Sequence, residues 1–251
     1  MKKIVILSIA VMGLAAGLTS CKKDSNSGNS FKVRMTDGPG DFLQLNMQIS
    51  SVDIYSQGNG WVNLSSQTQS VNVLDLTNGS EIQLANSTNV SAGVYTKLRI
   101  TFASQANIVL LGGGSSFSLN WTGNTQQVEI TINEQVSSAT GGNLLIDFDV
   151  AQSVSELAGV YSIQPVISVI ADESTGVKGH VTGASSAMVK VTGNGKTYST
   201  YINAQGNFLL RGIASGTYTV NIWGNGQLQS HEVNNVVVTQ GQITSMGNID
   251  L

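Results

Sequence analysis

From residue 31 onward, apolar and polar residues alternate with a period of two along most of the chain. Val94, Thr96, Leu98, Ile100 and Phe102 alternate with Tyr95, Lys97, Arg99 and Thr101. Val128, Ile130 and Ile132 alternate with Glu129, Thr131 and Asn133, and Leu144, Ile146, Phe148 and Val150 with Leu145, Asp147 and Asp149. A period of two places successive side chains on opposite faces of a half-buried strand. The same reading predicts strands at 31–35, 44–56, 107–111, 115–120, 160–170, 187–192, 197–203, 207–211, 216–223 and 235–239. Gly, Asn and Ser clusters separate them at the spacing of β-sandwiches. Within 44–56 the apolar phase slips near Ser50-Ser51, which predicts a bulge. One helical turn is predicted, from Ala151 to Ala158. The fold class is all-β, with two β-sandwich domains. The polar stretch Ala171-Asp172-Glu173-Ser174-Thr175-Gly176 divides them into 31–172 and 173–251. A domain of fewer than about 80 residues is marginal on buried area alone, so the second is expected to gain from docking on the first.

The start of the chain follows a different pattern. Lys2 and Lys3 precede an apolar run from Ile4 to Gly17, and Leu18-Thr19-Ser20 then leads directly into Cys21. This is the layout of a secretory signal, and the run is shorter than the roughly 20 apolar residues of a spanning helix. It resembles the bacterial lipoprotein lipobox. The resemblance implies cleavage before Cys21, a diacylglyceryl group on its thiol, and acylation of the new amine. Residues 1–20 are then a signal peptide, and 21–30 the lipidated cysteine with a polar tether. Two acyl chains hold a protein stably at a bilayer where one does not, so the membrane is an expected partner through the lipid. Lys22 stands where some bacterial lipoproteins carry an aspartate for inner-membrane retention, and the expected address is the outer membrane, with the periplasmic and the cell-surface face both open. Cys21 is the single cysteine, so once lipidated it leaves no thiol for a disulfide, a metal or a nucleophile.

Charged residues are only 11% of the chain and the net charge is −3. Loss of Lys2 and Lys3 with the signal makes the mature chain two charges more acidic. Without a basic cluster, nucleic acid is not an expected partner. Solubility rests on Ser, Thr, Asn, Gln and Gly.

Two further resemblances come from local motifs. Gly179-His180-Val181-Thr182-Gly183, Val189-Lys190-Val191, Asn203-Ala204-Gln205-Gly206-Asn207-Phe208 and Gly212 to Val220 resemble the carboxypeptidase regulatory-like β-sandwich, a transthyretin-type module. Here Gly206 supplies the positive φ of a tight turn, and Phe208 and Tyr218 are expected to point inward. Met35-Thr36-Asp37-Gly38-Pro39-Gly40-Asp41, Trp61, Leu74-Asp75-Leu76, Gly93-Val94-Tyr95, Leu145 to Val150, Ser153, Tyr161 and Gln164-Pro165-Val166 look like domain of unknown function 4382, common in lipoproteins of Gram-negative bacteria. Together they imply immunoglobulin/transthyretin-like sandwiches and a structural or binding role; they bring no established activity.

The candidate chemistry is sparse. Asp37 and Asp41 flank Gly38-Pro39-Gly40, so two carboxylates share one turn. Calcium collects carboxylates and backbone oxygens from such loops, although the alternating acids and closing glutamate of an EF-hand are missing. The plainer reading is a turn in which Asp37 bonds nearby backbone N–H groups. Asp147 and Asp149 are two apart on one strand, as are Lys97 and Arg99, and neighbouring strands would let the four form a cross-strand charge ladder. The sharper reading is a metal or catalytic dyad. Trp61 and Trp223 are candidate ligand contacts through stacking on sugar rings, whereas tryptophan is more often buried with its N–H bonded. His180 and His231 fall in no metal or triad spacing. The expected protein is therefore a non-enzymatic, outer-membrane-anchored lipoprotein that binds or scaffolds at the cell envelope, recognising glycan or an envelope protein, with no cofactor other than a candidate calcium. The alternatives are a fimbrial or adhesin-like subunit that assembles by strand donation after cleavage at Arg34 or Arg99, and a hydrolase using Asp37/Asp41 or Asp147/Asp149.

Overall fold

The computed structural model describes residues 28–38, 42–111, 113–123, 126–224 and 230–251. The expected signal, Cys21 and Asp41 lie outside the described residues. The period-two segments form strands. The first sandwich contains β1 (Asn29–Gly38), β2 (Phe42–Ser56), β3 (Gly60–Ser65), β4 (Gln69–Asn72), a 3₁₀ turn (Val73–Leu76), β5 (Ile82–Val90), β6 (Gly93–Leu110), β7 (Ser116–Ser118), β8 (Asn120–Trp121), β9 (Gln127–Val136), β10 (Gly142–Asp149), a helical turn α1 (Val150–Ser153), β11 (Val154–Leu157), β12 (Val160–Ile163) and β13 (Ile167–Val169). β1 lies inside a four-stranded sheet, β13-β10-β1-β5, parallel to β10 and antiparallel to β5. A six-stranded sheet runs β3-β2-β6-β7, with β4 also on β2 and β9 also on β6, and β11-β12-β8 form a smaller sheet.

The inward phases of these strands make one core. Phe31, Val33 and Met35 of β1, Ile146 and Phe148 of β10, Leu45 and Ile54 of β2, and Leu98 and Ile100 of β6 are all fully buried. Tyr95 meets Phe31 edge-on at 5.8 Å, and its hydroxyl donates to the Ser91 carbonyl at 3.1 Å, which satisfies the one polar atom of a buried ring.

The predicted phase slip in β2 is a pair of register shifts against β6, at Met47/Ile49 and Ile49/Ser51. Residues 94–102 and 107–111, predicted as separate strands, are one 18-residue strand, β6. The helical turn is shorter than predicted. It covers Val150–Ser153, where the Asp149 side chain accepts the Gln152 N–H at 2.9 Å, and the chain then enters β11. The predicted strand 160–170 is broken into β12 and β13 at Gln164-Pro165-Val166, because Pro165 has no N–H to give a ladder.

The second sandwich contains β14 (Gly176–Thr182), β15 (Ala187–Gly193), β16 (Lys196–Tyr201), β17 (Asn207–Arg211), β18 (Gly216–Gly224), β19 (Ser230–Val238) and β20 (Ile243–Asp250). Its sheets run β17-β14-β20 and β16-β15-β18-β19, and they enclose a separate core. Phe208 and Tyr218 point into it, each 2% exposed, and Gly206 takes φ +79° at the turn before Phe208.

The two sandwiches meet along a polar seam. Glu81, ahead of β5, accepts from Arg34 of β1 and from Arg211 of β17, both at 2.6 Å. Arg34 also pairs with Glu173 of the connecting segment. The Asn78 backbone N–H donates to Thr200 Oγ1 at 3.0 Å, and its side-chain amide donates to the Asn207 carbonyl at 3.1 Å.

Candidate functional site

Beside this seam a cleft of about 510 Å³ opens between the two sandwiches. Its first wall comes from the ends of β1 and β10 and from α1, with Asp37, Asp147 and Asp149. Its second comes from β15, β16 and β17, with Lys190, Lys196 and Arg211. β1 and β10 run parallel in a register that sets Thr36 beside Asp147, Asp37 beside Phe148 and Gly38 beside Asp149, so Asp147 and Asp149 share one face of the sheet and Asp37 lies on the other, core-facing side.

Their environments differ. Asp37 is in phase with Phe31, Val33 and Met35, and it is only 6% exposed. Neither of its carboxyl oxygens has a hydrogen-bond partner, which corrects the reading of Asp37 as a turn residue bonded to backbone N–H groups. Burial first, then the charge of Asp147, pushes its pKa up to about 10; the Val150 N–H offsets part of this without completing a hydrogen bond. Asp147 is pushed up to about 7, again by burial and then by Asp149, with the Gly38 N–H acting against both. Asp149 is occupied as the cap of α1, and its second oxygen accepts the Gln152 side-chain amide at 2.5 Å. Among the described residues none of the three makes an ion pair.

The charge ladder does not form. Lys97 and Arg99 lie on β6 in the six-stranded sheet, while Asp147 and Asp149 lie on β10 in the four-stranded one. The β6–β9 register sets Arg99 opposite Glu129, and Glu129 takes both cations, Arg99 at 2.9 Å and Lys97 at 3.4 Å. The Arg99 guanidinium also lies 3.5 Å from the Trp61 ring centre, and Tyr55 flanks the indole at 5.3 Å. Trp61 is 36% exposed, yet one face of its ring is already covered.

Trp223 is half-buried on β18, opposite Met188 and Ser230, and so is less open than its place beside a loop suggests. His180 Nδ1 lies 3.0 Å from Asn207 Oδ1, and His231 is exposed. Among the described residues no three His, Cys, Asp or Glu side chains gather as a ready metal cluster. The residues that sequence reasoning did not place at the seam are Arg34, singled out only as a cleavage point, and Asn78, Glu81 and Arg211. Only Asn78-Gly79 carried a local signal, as a turn dipeptide.

Residues 29–165 match the family model described as a domain of unknown function, DUF4382. The chain belongs to this family. Residues 155–246 match a model described as polysaccharide lyase family 4, domain II. A comparison with curated proteins finds no match. Among solved structures, the Bacillus anthracis TIE protein is similar at 12% identity and a TM-score of 0.24, over 91% of this chain and 42% of that one, so this chain spans less than half of that protein. The shaft pilin SpaA of Lactobacillus rhamnosus GG aligns at 11% identity and TM-score 0.20, covering 88% of this chain and 97% of the pilin. A putative adhesin from Bacteroides ovatus aligns at 8% identity and TM-score 0.20, over 89% of each chain.

Proposed function

We propose that this member of the family is an outer-membrane-anchored lipoprotein that binds or scaffolds at the cell envelope without catalysing a reaction, with envelope glycan as its ligand class. The observation that carries the reading is the cleft held between two sandwiches that ion pairs clamp together. Ligand sites favour such domain boundaries. The run into Cys21 supports the address, and the match of 155–246 to a domain of polysaccharide lyases supports the ligand class. The motifs from Gly179 to Val220 fit a carboxypeptidase regulatory-like add-on in the same role.

The hydrolase reading is weaker. Both Asp149 oxygens are engaged by Gln152, which leaves the Asp147/Asp149 pair without a second working carboxylate. Strand donation requires removal of β1, but Phe31, Val33 and Met35 are fully buried between β10 and β5. Arg34 is held by Glu81 and Glu173, and Arg99 by Glu129 and Trp61, so neither is presented to a protease.

Growth with radiolabelled palmitate tests the anchor: label in the wild type and none in Cys21→Ser is expected, and equal absence of label from both would sink it. Glycan-array binding tests the cleft. Ala151 is exposed on its wall, and Ala151→Trp should abolish binding. Binding that survives this change, or no binding by the wild type, would overturn the cleft as a glycan site.

A further inference from the structure

The outer face of the sheet β16-β15-β18-β19 carries a row of large side chains. The register sets Met188 opposite Tyr201 of β16 on one side and opposite Trp223 of β18 on the other. Their chain neighbours Val189, Thr200 and Ile222 also pair with one another and are buried. Side chains alternate between the two faces of a strand, so Tyr201, Met188 and Trp223 lie together on the face turned away from the core. All three are half-buried. Directly opposite residues stand about 4.5–5.5 Å apart at Cβ, which makes the row one continuous strip.

The next row on the same face is polar, with Ser199, Lys190 and Asn221 in line and Glu232 beyond them. Lys190 is exposed and makes no ion pair among the described residues. Glu232 accepts the Asn234 side-chain amide at 2.9 Å. One cation and one anion leave these two rows without net charge. The strip is also continuous with the interdomain cleft. Met188, Lys190 and Ser199 belong to the second wall of the cleft, whereas Trp223 lies beyond it. The row thus starts in the cleft wall and leads out of it onto β18.

We propose that Tyr201, Met188 and Trp223 form an extended subsite of the cleft that takes an uncharged polysaccharide whose rings carry equatorial hydroxyls. Such a ring has an apolar C–H face and a rim of hydroxyls. Aromatic side chains offer large apolar area to that face, and Ser199, Lys190 and Asn221 offer hydrogen-bonding groups to the rim. Charge selects the class. The two rows are balanced, and Asp147 and Asp149 on the opposite wall of the cleft oppose an acidic chain. The proposal rests on the glycan reading of the cleft and adds to it a ligand that is neutral and long enough to leave the cleft.

The test is calorimetric titration of the intact chain in detergent with cellohexaose, xylohexaose and chitohexaose and with the matching disaccharides. The wild type is expected to bind at least one hexasaccharide about tenfold more tightly than its disaccharide, and Trp223→Ala to remove that advantage while the disaccharide still binds. The same hexasaccharide should shift the tryptophan fluorescence of the wild type but not of Trp223→Phe, since Trp61 and Trp121 lie in the other sandwich. A row that only packs gives no such shift. Should Trp223→Ala fail to fold, the fluorescence of Trp223→Phe decides. Wild-type hexasaccharide affinity in Trp223→Ala, with binding lost in Ala151→Trp, overturns the row and leaves the cleft standing. Binding that survives Ala151→Trp and is lost in Trp223→Ala overturns the cleft and leaves the row. No hexasaccharide binding by the wild type overturns both.

Discussion

On the exposed side of the six-stranded sheet, Glu129 sits between Arg99 and Lys97. Among the described residues, Asp37 and Asp147, which line the interdomain cleft, make no ion pair. Both groups are charged residues on strands of the same sandwich, yet their protonation moves in opposite directions. The hydrogen bond from Arg99, and then Lys97, holds the Glu129 carboxyl below its usual range. Burial, and then Asp147, drives Asp37 far above it. The exposed group is satisfied and contributes little, since water already solvates each partner. The cleft group is unsatisfied, and because nothing in its water-poor setting would oppose a charge it keeps its proton, at a cost in stability that grows with pH. Uncompensated burial is the better pointer to function, since structural need alone would have replaced such a group with an apolar residue.

The largest expected effect comes from removing the uncompensated acid. The folded chain keeps a proton on Asp37 that the unfolded chain releases above about pH 4. Stability from this group is full below about pH 4 and is lost as the pH rises toward about 10. Asp147 adds a loss of the same sign up to about pH 7. Between pH 5 and 8 the Asp37 contribution alone amounts to up to about 4 kcal/mol. Asp37→Asn should remove most of that slope and make the protein more stable than wild type at pH 8, as read from urea midpoints at the two pH values. Parallel slopes for wild type and variant would erase the contrast between the two groups.

An intermediate effect is expected at Glu81, where one carboxylate serves two half-buried arginines across the seam. Glu81→Gln keeps the shape and deletes the charge. Arg34 retains Glu173 and Arg211 is left without an ion pair. A loss of about 2 kcal/mol is expected, together with faster proteolysis in the 171–175 connection. Unchanged proteolysis at that connection would show that the sandwiches are held by packing such as Leu209 against Gly79 rather than by charge.

The strands and the inward phase of Phe208, Tyr218 and the β1 apolar residues were legible because a period of two reports which face is buried, whatever the partner strand. Segments such as β5, with Ala85-Asn86-Ser87-Thr88-Asn89, and β20, with Ser245-Met246-Gly247-Asn248, carry too few apolar residues for that signal and form strands through pairing with β1 and β14. The site was legible only in pieces. Asp37 and Asp147 were singled out separately, but what brings their strands together is the parallel pairing of β1 with β10, a contact between residues more than a hundred positions apart that no local pattern encodes. The same blindness produced the wrong ladder. Spacing two apart matches any such pair to any other, and register alone decides which strands are neighbours.

The smallest expected effect is the one that checks the exposed half of the comparison. A double-mutant cycle on Arg99 and Glu129 should give a coupling of at most about 1 kcal/mol, because Glu129 is 41% exposed although Arg99 is only 21% exposed. That coupling should shrink as salt is raised toward 1 M, where the screening length falls to about 3 Å. The equivalent cycle on Arg99 and Asp149 should give none, since the two lie in different sheets. Part of the Arg99 effect will not appear in either cycle, because its guanidinium also rests on Trp61 and that contact contributes about 0.5–1 kcal/mol at an exposed site without depending on Glu129. Arg99→Lys separates the two: it keeps the charge opposite Glu129 and loses the flat stack on the indole, so a drop in stability that persists in high salt belongs to the ring and a drop that vanishes belongs to the ion pair. A strong, salt-resistant Arg99–Glu129 coupling would mean that exposed charges on this sheet behave like buried ones, and the distinction between the two acid groups would then rest on something other than access to water.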